Sequence, residues 1–319
     1  MIILCIFIFL GSCALLFWAG KWMVAALIRV ARYLEWREFV VAFIIIAVAT
    51  SIPNLFVGIT AALHKIPQLS LGDIVGGNLF DLTVAVALAT LFARGLPAAS
   101  KMVQISAIFT MIAAILPLLL LLDGTLDRGD AIVLILLFLF YIYWLFSKKE
   151  RFTKVYDGDR ISIIKEFKIF IKDLGRLILS LLFLLIAAEG IVKSASIFSQ
   201  TLNLPLVLVG ILIVGIGSAI PETYFAIMAA RRVETWMILG NIMGSVVIIA
   251  TLVLGIVALI CPIEIVDFSP FAIARVFLVI AALFFLFFVR TDRKITVKEA
   301  FFLLGLYLIF FLIEVLTKL

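Results

Sequence analysis

Apolar stretches of a helix-spanning length follow one another along the whole chain, separated by short polar loops. Counted from the N-terminus, they predict ten helices: 2–32, 38–63, 69–93, 100–122, 129–147, 172–199, 205–230, 236–260, 270–289 and 297–316. About 20 consecutive apolar residues cross the hydrocarbon core of a bilayer as a helix. The ~10-residue alternating segments of a membrane barrel are absent. Only one sizeable polar stretch interrupts the pattern, residues 148–171. It holds Lys148, Lys149, Arg151, Lys154, Arg160, Lys165 and Lys168 around the turn Asp157-Gly158-Asp159. It divides the chain into a first five-helix half, residues 1–147, and a second, residues 172–319.

The halves repeat one another. Val41–Asn78 lies over Val209–Val246 without a gap, at an offset of 168 (209 minus 41). From Leu34/Leu202 to Asn78/Val246, 12 of 45 aligned pairs are identical. Ala49-Thr50-Ser51-Ile52-Pro53-Asn54 falls on Gly217-Ser218-Ala219-Ile220-Pro221-Glu222. Leu71-Gly72-Asp73-Ile74-Val75-Gly76 falls on Leu239-Gly240-Asn241-Ile242-Met243-Gly244. Five helices per half is an odd number, so the second half enters the membrane from the opposite side. Matching interrupted helices in inverted halves are the sequence pointer to a transporter's binding site.

Composition turns this pattern into a fold class. Of 319 residues, 66% are hydrophobic, and mean hydropathy is +1.33; soluble domains are about 45–50% apolar. The chain is therefore expected to be an all-α integral membrane protein, ten transmembrane helices in two inverted five-helix repeats. The net charge of +6 is an orientation signal and not a nucleic-acid footprint. Basic residues gather in alternate loops: Arg29, Arg32 and Arg37; Arg94 and Lys101; 148–171; Arg231 and Arg232; Arg290, Arg293, Lys294 and Lys298. The positive-inside rule puts these loops in the cytoplasm and both termini outside the cell membrane. Cys5, Cys13 and Cys261 have no metal or redox spacing and read as small buried hydrophobes. Leu10-Gly11-Ser12-Cys13 resembles a lipoprotein cleavage site, but the first charged residue is Lys21, so the first stretch reads as a retained helix.

A charge at mid-membrane costs about 2.5–3.5 kcal/mol on insertion scales, so each one needs a reason. Asp73, Asp81 and Glu222 lie inside apolar helices near the repeat, and Glu189 lies in the sixth helix. Pro53 and Pro221 each remove a backbone donor and release carbonyls in the preceding turn, which a membrane tolerates where they line a cavity. With those carbonyls go the hydroxyls of Thr50, Ser51, Ser218 and Ser245, the amides of Asn54, Asn78 and Asn241, and the carboxylates of Asp81 and Glu222. An all-oxygen set suits hard cations such as Na⁺ and Ca²⁺. Gly72, Gly76, Gly77, Gly240 and Gly244 read as sites of close helix packing. His64, the only histidine, sits at a loop edge and is expected to be solvated. Lys21 and Glu189 occupy equivalent positions in the two halves and read as snorkelling charges, with a role at the ion entrances as the alternative.

These residues resemble the sodium/calcium exchanger family of the cation/calcium antiporters. Its two repeats carry a Gly-Thr-Ser-Leu-Pro-Glu-like motif followed by Gly-Asn-x-x-Gly-Ser-Asn. Here these stand as Ala49–Asn54 with Gly72–Asn78, and as Gly217–Glu222 with Gly240–Val246. The resemblance covers the whole chain. It implies a ten-helix antiporter exchanging Ca²⁺ for Na⁺ or H⁺ by alternating access, a transporter and not an enzyme, with no cofactor beyond the transported ions. It implies ion ligands at mid-membrane: Glu222 and Asp81 charged, with Asn54, Thr50, Ser51, Ser218, Ser245 and Asn78 neutral. This chain departs from the family at Asn54, where the family has glutamate, and at Ile249, where it has Asn or Asp. Gly77 replaces a common serine and Asp73 a common asparagine. A monovalent cation/proton antiporter of the same fold, or a non-transporting membrane sensor, is the alternative. An intramembrane metalloenzyme using Asp73 and Asp81 lacks a repeated Asp motif and further His or Cys ligands.

Overall fold

The structure, a computed structural model, describes residues 2–33, 46–147, 163–231 and 235–317. Among them ten helices follow the apolar stretches: α1 (Ile2–Tyr33), α2 (Ile46–Leu63), α3 (Pro67–Ala93), α4 (Lys101–Leu120), α5 (Arg128–Ser147), α6 (Ile163–Leu202), α7 (Leu206–Arg231), α8 (235–260), α9 (Ala272–Arg290) and α10 (Val297–Leu316). Nine are long and apolar enough to cross a membrane; within α2 the apolar stretch is shorter, Thr50–Leu63. Loop chemistry sets the ends. Pro67 stands at the start of α3, where its missing N–H costs nothing. Thr296 caps α10 and exchanges hydrogen bonds with Glu299 in a capping box.

Two expectations change. The polar stretch 148–171 is not a loop to its end: α6 begins at Ile163, and residues 148–162 lie outside the described residues, as do Arg37 and Arg232. The two prolines also act differently. Helix α2 runs through Pro53, whereas α7 is broken by a turn at Ala219, two residues before Pro221. The sequence before the break explains this. Gly215 and Gly217 weaken the helix there, and residues Gly210–Val214 are already in a π-helical register.

The predicted inverted repeat is visible in the contacts. Helices α2, α3, α7 and α8 form the centre, with α2 against α8 and α3 against α7; the repeat maps one contact onto the other. Likewise α5 packs on α8 as α10 packs on α3, while α1 pairs with α6 and α4 with α9. Two short antiparallel ribbons obey the same rule. β1 (Leu96–Pro97) pairs with β4 (Lys294–Ile295), and β2 (Thr125–Leu126) pairs with β3 (Ile263–Glu264). Helix α4 separates β1 from β2, so the ribbons tie the halves together at opposite ends of the molecule. π-Helical segments also recur, at Asp81–Ala85 in α3 and Ile248–Val253 in α8. Such segments concentrate at functional sites.

Burial grades from centre to rim. The spanning part of α8 is 83% buried and that of α5 only 22%. The exposed faces of α1, α5 and α10 carry Leu, Ile and Phe, as a lipid-facing surface does. The α3–α7 contact is backbone to backbone: a Cβ on Gly72 would stand 2.1 Å from the Val207 carbonyl oxygen, and one on Gly76 2.3 Å from that of Ile211. The packing role read for these two glycines holds. α1 and α6 share an apolar core of their own, closed by Val57, Ala61 and Leu69 on one side and Val209 and Val214 on the other.

Candidate cation site

Helices α2, α3, α7 and α8 bring the eight expected residues to the centre of the molecule, each 3% exposed or less. Helix α2 supplies Thr50, Ser51 and Asn54, α3 supplies Asn78 and Asp81, α7 supplies Ser218 and Glu222, and α8 supplies Ser245. Hydroxyls link them. Ser51 Oγ lies 3.2 Å from Ser245 Oγ, and Ser245 Oγ donates to Glu222 Oε1 at 3.3 Å. This chain joins α2, α8 and α7. Asp81 is the first residue of the π-helical segment of α3 and lies within electrostatic range of Glu222. Asn54 and Asn78 are buried with their Oδ1 atoms lacking a hydrogen-bond partner among the described residues.

Two further residues join the group. Thr50 Oγ1 donates to Asn241 Oδ1 at 3.3 Å, and Ser218 Oγ donates to Asp73 Oδ1 at 2.6 Å. Asn241 and Asp73 occupy the same repeat position, as do Thr50 and Ser218. That alignment is the signal that could have paired each with a hydroxyl; the sequence alone places Asn241 among the amide oxygens and Asp73 among the buried acids. Ile249, at the position mirrored by Asp81, is a buried apolar side chain and supplies no ligand.

The electrostatics of the group are one-sided. Among the described residues, Asp73, Asp81 and Glu222 have no ion-pair partner. Asp73 Oδ2, Asp81 Oδ1, Glu222 Oε2, Asn54 Oδ1 and Asn78 Oδ1 are all buried acceptors without a donor. Burying a polar atom unpaired costs about 1–3 kcal/mol and more for a charged one. These five acceptors, three of them carboxylate oxygens and two amide oxygens, are of the kind that suits a hard cation. No three His, Cys, Asp or Glu side chains among the described residues converge on one point as a metal centre. A cation held here would thus use hydroxyls, amides and carbonyls beside its carboxylates, as hard cations do.

A cavity of about 200 Å³ leads toward the group between α1, α2 and α7, lined among others by Phe17, Lys21, Thr50, Pro53, Pro221 and Tyr224. Both repeat prolines face it. Lys21 lies on its wall, its Nζ 5.4 Å from the Trp18 ring centre and 5.5 Å from that of Tyr224. Lys21 is exposed and shares the lining of this cavity with Thr50. Its repeat partner Glu189 is elsewhere, half-exposed, bonded to His64 Nε2 at 3.0 Å and to Lys193 Nζ at 2.9 Å. His64 is accordingly exposed but bound to a partner.

The chain is similar to known proteins. The family described as sodium/calcium exchanger protein matches residues 4–147 and 172–316. An uncharacterized membrane protein of Methanocaldococcus jannaschii is 26% identical over 247 residues, covering 77% of this chain and 78% of that protein. The sodium/calcium exchanger MaX1 of Methanosarcina acetivorans is 24% identical over 319 residues, covering 89% and 91%. Among solved structures, the sodium-calcium exchanger NCX_Mj, soaked with 10 mM Na⁺ and no Ca²⁺, superposes with a TM-score of 0.66 at 24% identity, over 97% of this chain and 98% of that one. That likeness concerns the fold.

Proposed function

The chain belongs to the sodium/calcium exchanger family and is a multi-pass membrane cation antiporter, and we propose that it exchanges Ca²⁺ for Na⁺ at the centre of α2, α3, α7 and α8. Glu222 and Asp81 balance the divalent charge. Thr50, Ser51, Asn54, Asn78, Ser218 and Ser245 supply neutral oxygens. The supporting observation is the set of five buried acceptors without donors, two on Asn54 and Asn78 and three on carboxylates that have no basic partner among the described residues.

The roles follow from position. Ser245 spends its proton on Glu222 Oε1, which leaves its lone pairs for a cation and fixes the carboxylate. The cavity past Lys21 and Thr50 is the entrance on one side. The glycine-packed α3–α7 contact closes the other, and alternation of the two gives exchange. The five helices before residue 148 and the five from Ile163 onward act as the two transport repeats, and the basic stretch between them lies in the cytoplasm with both termini outside.

Exchange of a monovalent cation for protons is the second reading. Ile249 favours it, because the apolar side chain removes one oxygen from the mirrored position. Proteoliposomes decide between the two. Radioactive Ca²⁺ uptake driven by an outward Na⁺ gradient, and abolished when the gradient is dissipated, is the expected result. Uptake of radioactive Na⁺ driven by an outward proton gradient, with no Ca²⁺ uptake under either gradient, would establish the second reading. No gradient-driven flux of either kind would overturn both.

A further inference from the structure

The cavity beside Thr50 has a counterpart at the repeat offset of 168, and the counterpart is shut. Gly20, Lys21 and Phe225 line the open cavity. Their mirrored residues are Ala188, Glu189 and Val57. Ala188 and Val57 are fully buried, within the apolar core that α1 and α6 share. The molecule is therefore open toward one end and closed toward the other, where α2 turns into α3. Besides the glycine packing of α3 on α7, it is α6 seated on α2 that closes this second end.

A polar contact stands at the rim of that closed end. His64, the first residue after α2, presents Nε2 to both carboxylate oxygens of Glu189 on α6, 3.1 Å from Oε1 and 3.0 Å from Oε2. Lys193, one turn further along α6, holds Oε1 at 2.9 Å. The His64 and Glu189 side chains are 42% and 40% exposed, so the pair meets solvent protons at the edge of a dry core. It joins two elements that must part if Ala188 and Val57 are to line an opening. The open end is held differently. Lys21, at the position that mirrors Glu189, rests on the Trp18 and Tyr224 rings and has no ion-pair partner among the described residues. The position that mirrors His64 is Arg232, which lies outside the described residues.

We propose that His64 and Glu189 form a proton-operated latch on the second entrance: the pair holds α6 against the end of α2 while this entrance is closed, and separates when it opens. Glu189 and Lys193 face the imidazole from α6, and Lys65 follows it in its own turn. Gln68 Nε2 donates to the Glu264 carbonyl oxygen at 3.2 Å, which brings the acidic strand β3 to the same end. Imidazole is the side chain that gains its charge as pH falls from about 8 to 5. Protonated His64 makes an ion pair with Glu189, whereas neutral His64 offers one N–H and no charge. Low pH therefore favours the closed form, and the latch weakens as pH rises. A half-exposed ion pair shifts such an equilibrium by about two- to fivefold. The latch works alike whichever cation is carried.

The test is the rate at which a water-soluble maleimide labels Val57→Cys in the purified full-length protein, with Cys5, Cys13 and Cys261 replaced by alanine. Each rate is divided by the rate in the same protein carrying His64→Gln at the same pH, which removes the thiol's own pH dependence. The expected ratio is about 0.2–0.5 near pH 6 and rises toward one near pH 8. Glu189→Gln labels as fast as His64→Gln at both pH values, and Lys193→Gln keeps the pH dependence. The substituted latch side chains are part-exposed and leave the core intact; Ala188→Cys is the second reporter if Val57→Cys does not fold. A ratio that is the same at both pH values overturns the latch, and so does a pH dependence that survives Glu189→Gln. Failure of both reporters to label in every variant overturns it as well, because this end would then hold no entrance. Labelling is read without transport, so the reading of cation exchange stands or falls separately.

Discussion

Glu222→Gln is the substitution whose consequence the site fixes most closely. The glutamine keeps the size of the side chain and the Oε1 acceptor that takes the Ser245 proton at 3.3 Å. It replaces Oε2, a buried acceptor without a donor, with an NH₂ group that cannot bind a cation. The electrostatic loss is large. Two unit charges 4 Å apart interact by about 4 kcal/mol at an effective dielectric of 20, and a divalent ion doubles this to about 8 kcal/mol. Against it stands the removal of one carboxylate's desolvation cost, several kcal/mol per buried ion. The net loss is about 3–4 kcal/mol, so Ca²⁺ affinity falls about 10²–10³-fold at 1.4 kcal/mol per decade. Thermal stability without ions holds or rises, since a buried charge without a counter-ion has been neutralised. Calorimetric titration with Ca²⁺, alongside a melting curve in the absence of ions, reads both terms. Ca²⁺ affinity within about threefold of the wild type would refute the argument, as would a drop in apo stability. Asn54→Glu, which adds a further carboxylate to the group that holds Glu222 and Asp81, tightens divalent binding in the same assay.

Four further outcomes follow from the structure. Gly76→Ala drives a methyl into the Ile211 carbonyl, 2.3 Å away; overpacking of this kind costs about 1–3 kcal/mol, so the melting temperature falls, and an unchanged melt would contradict the backbone-to-backbone contact. Lys21→Gln removes a fixed positive charge from the cavity wall and speeds cation uptake at low ionic strength, with the gain fading as salt shortens the range of the field to about 8 Å at 0.15 M; a gain independent of salt would point to a steric effect. Ca²⁺ binding weakens as pH falls, because protons and the cation compete for the same carboxylate oxygens of Asp81 and Glu222; a flat response from about pH 5 to 8 would count against two carboxylates sharing one ion. Ser162→Cys in the linker is not labelled by an impermeant thiol reagent applied to intact cells, and labelling would invert the orientation.

Most of the fold was legible because a membrane leaves few choices. A chain of apolar stretches must hydrogen-bond its own backbone, and only helices do so locally. Hence all ten helices fall where the apolar stretches stand, and the oddness of five per half gives the inversion that the two ribbons display. Local breaks were less legible. Proline was read as an interrupter in both halves, yet α2 runs through Pro53 and only α7 breaks, where Gly215 and Gly217 stand at the positions of Ala47 and Ala49. The start of α6 at Ile163 was hidden by the lysines of 163–171, which a helix leaving the membrane carries without penalty. In the site, the eight residues converge as their motif positions imply. Asp73 was harder to place, because its meaning lies in a pairing: only when Ser218 is seen to donate to it does its equivalence with Asn241 become a statement about chemistry.

The central claim is that a hard cation sits between α2, α3, α7 and α8, held by Glu222 and Asp81. Locating the ion tests it most directly. Crystals of the full-length protein soaked in Sr²⁺, a Ca²⁺ substitute with a usable absorption edge, yield its position by anomalous scattering. The account predicts a peak about 2.3–2.6 Å from Glu222 Oε2, the usual distance for calcium-like oxygen coordination, within the same group as Asp81 and Thr50 and lost in Glu222→Gln. A peak elsewhere in the membrane-spanning region, or one that persists in Glu222→Gln, would contradict it.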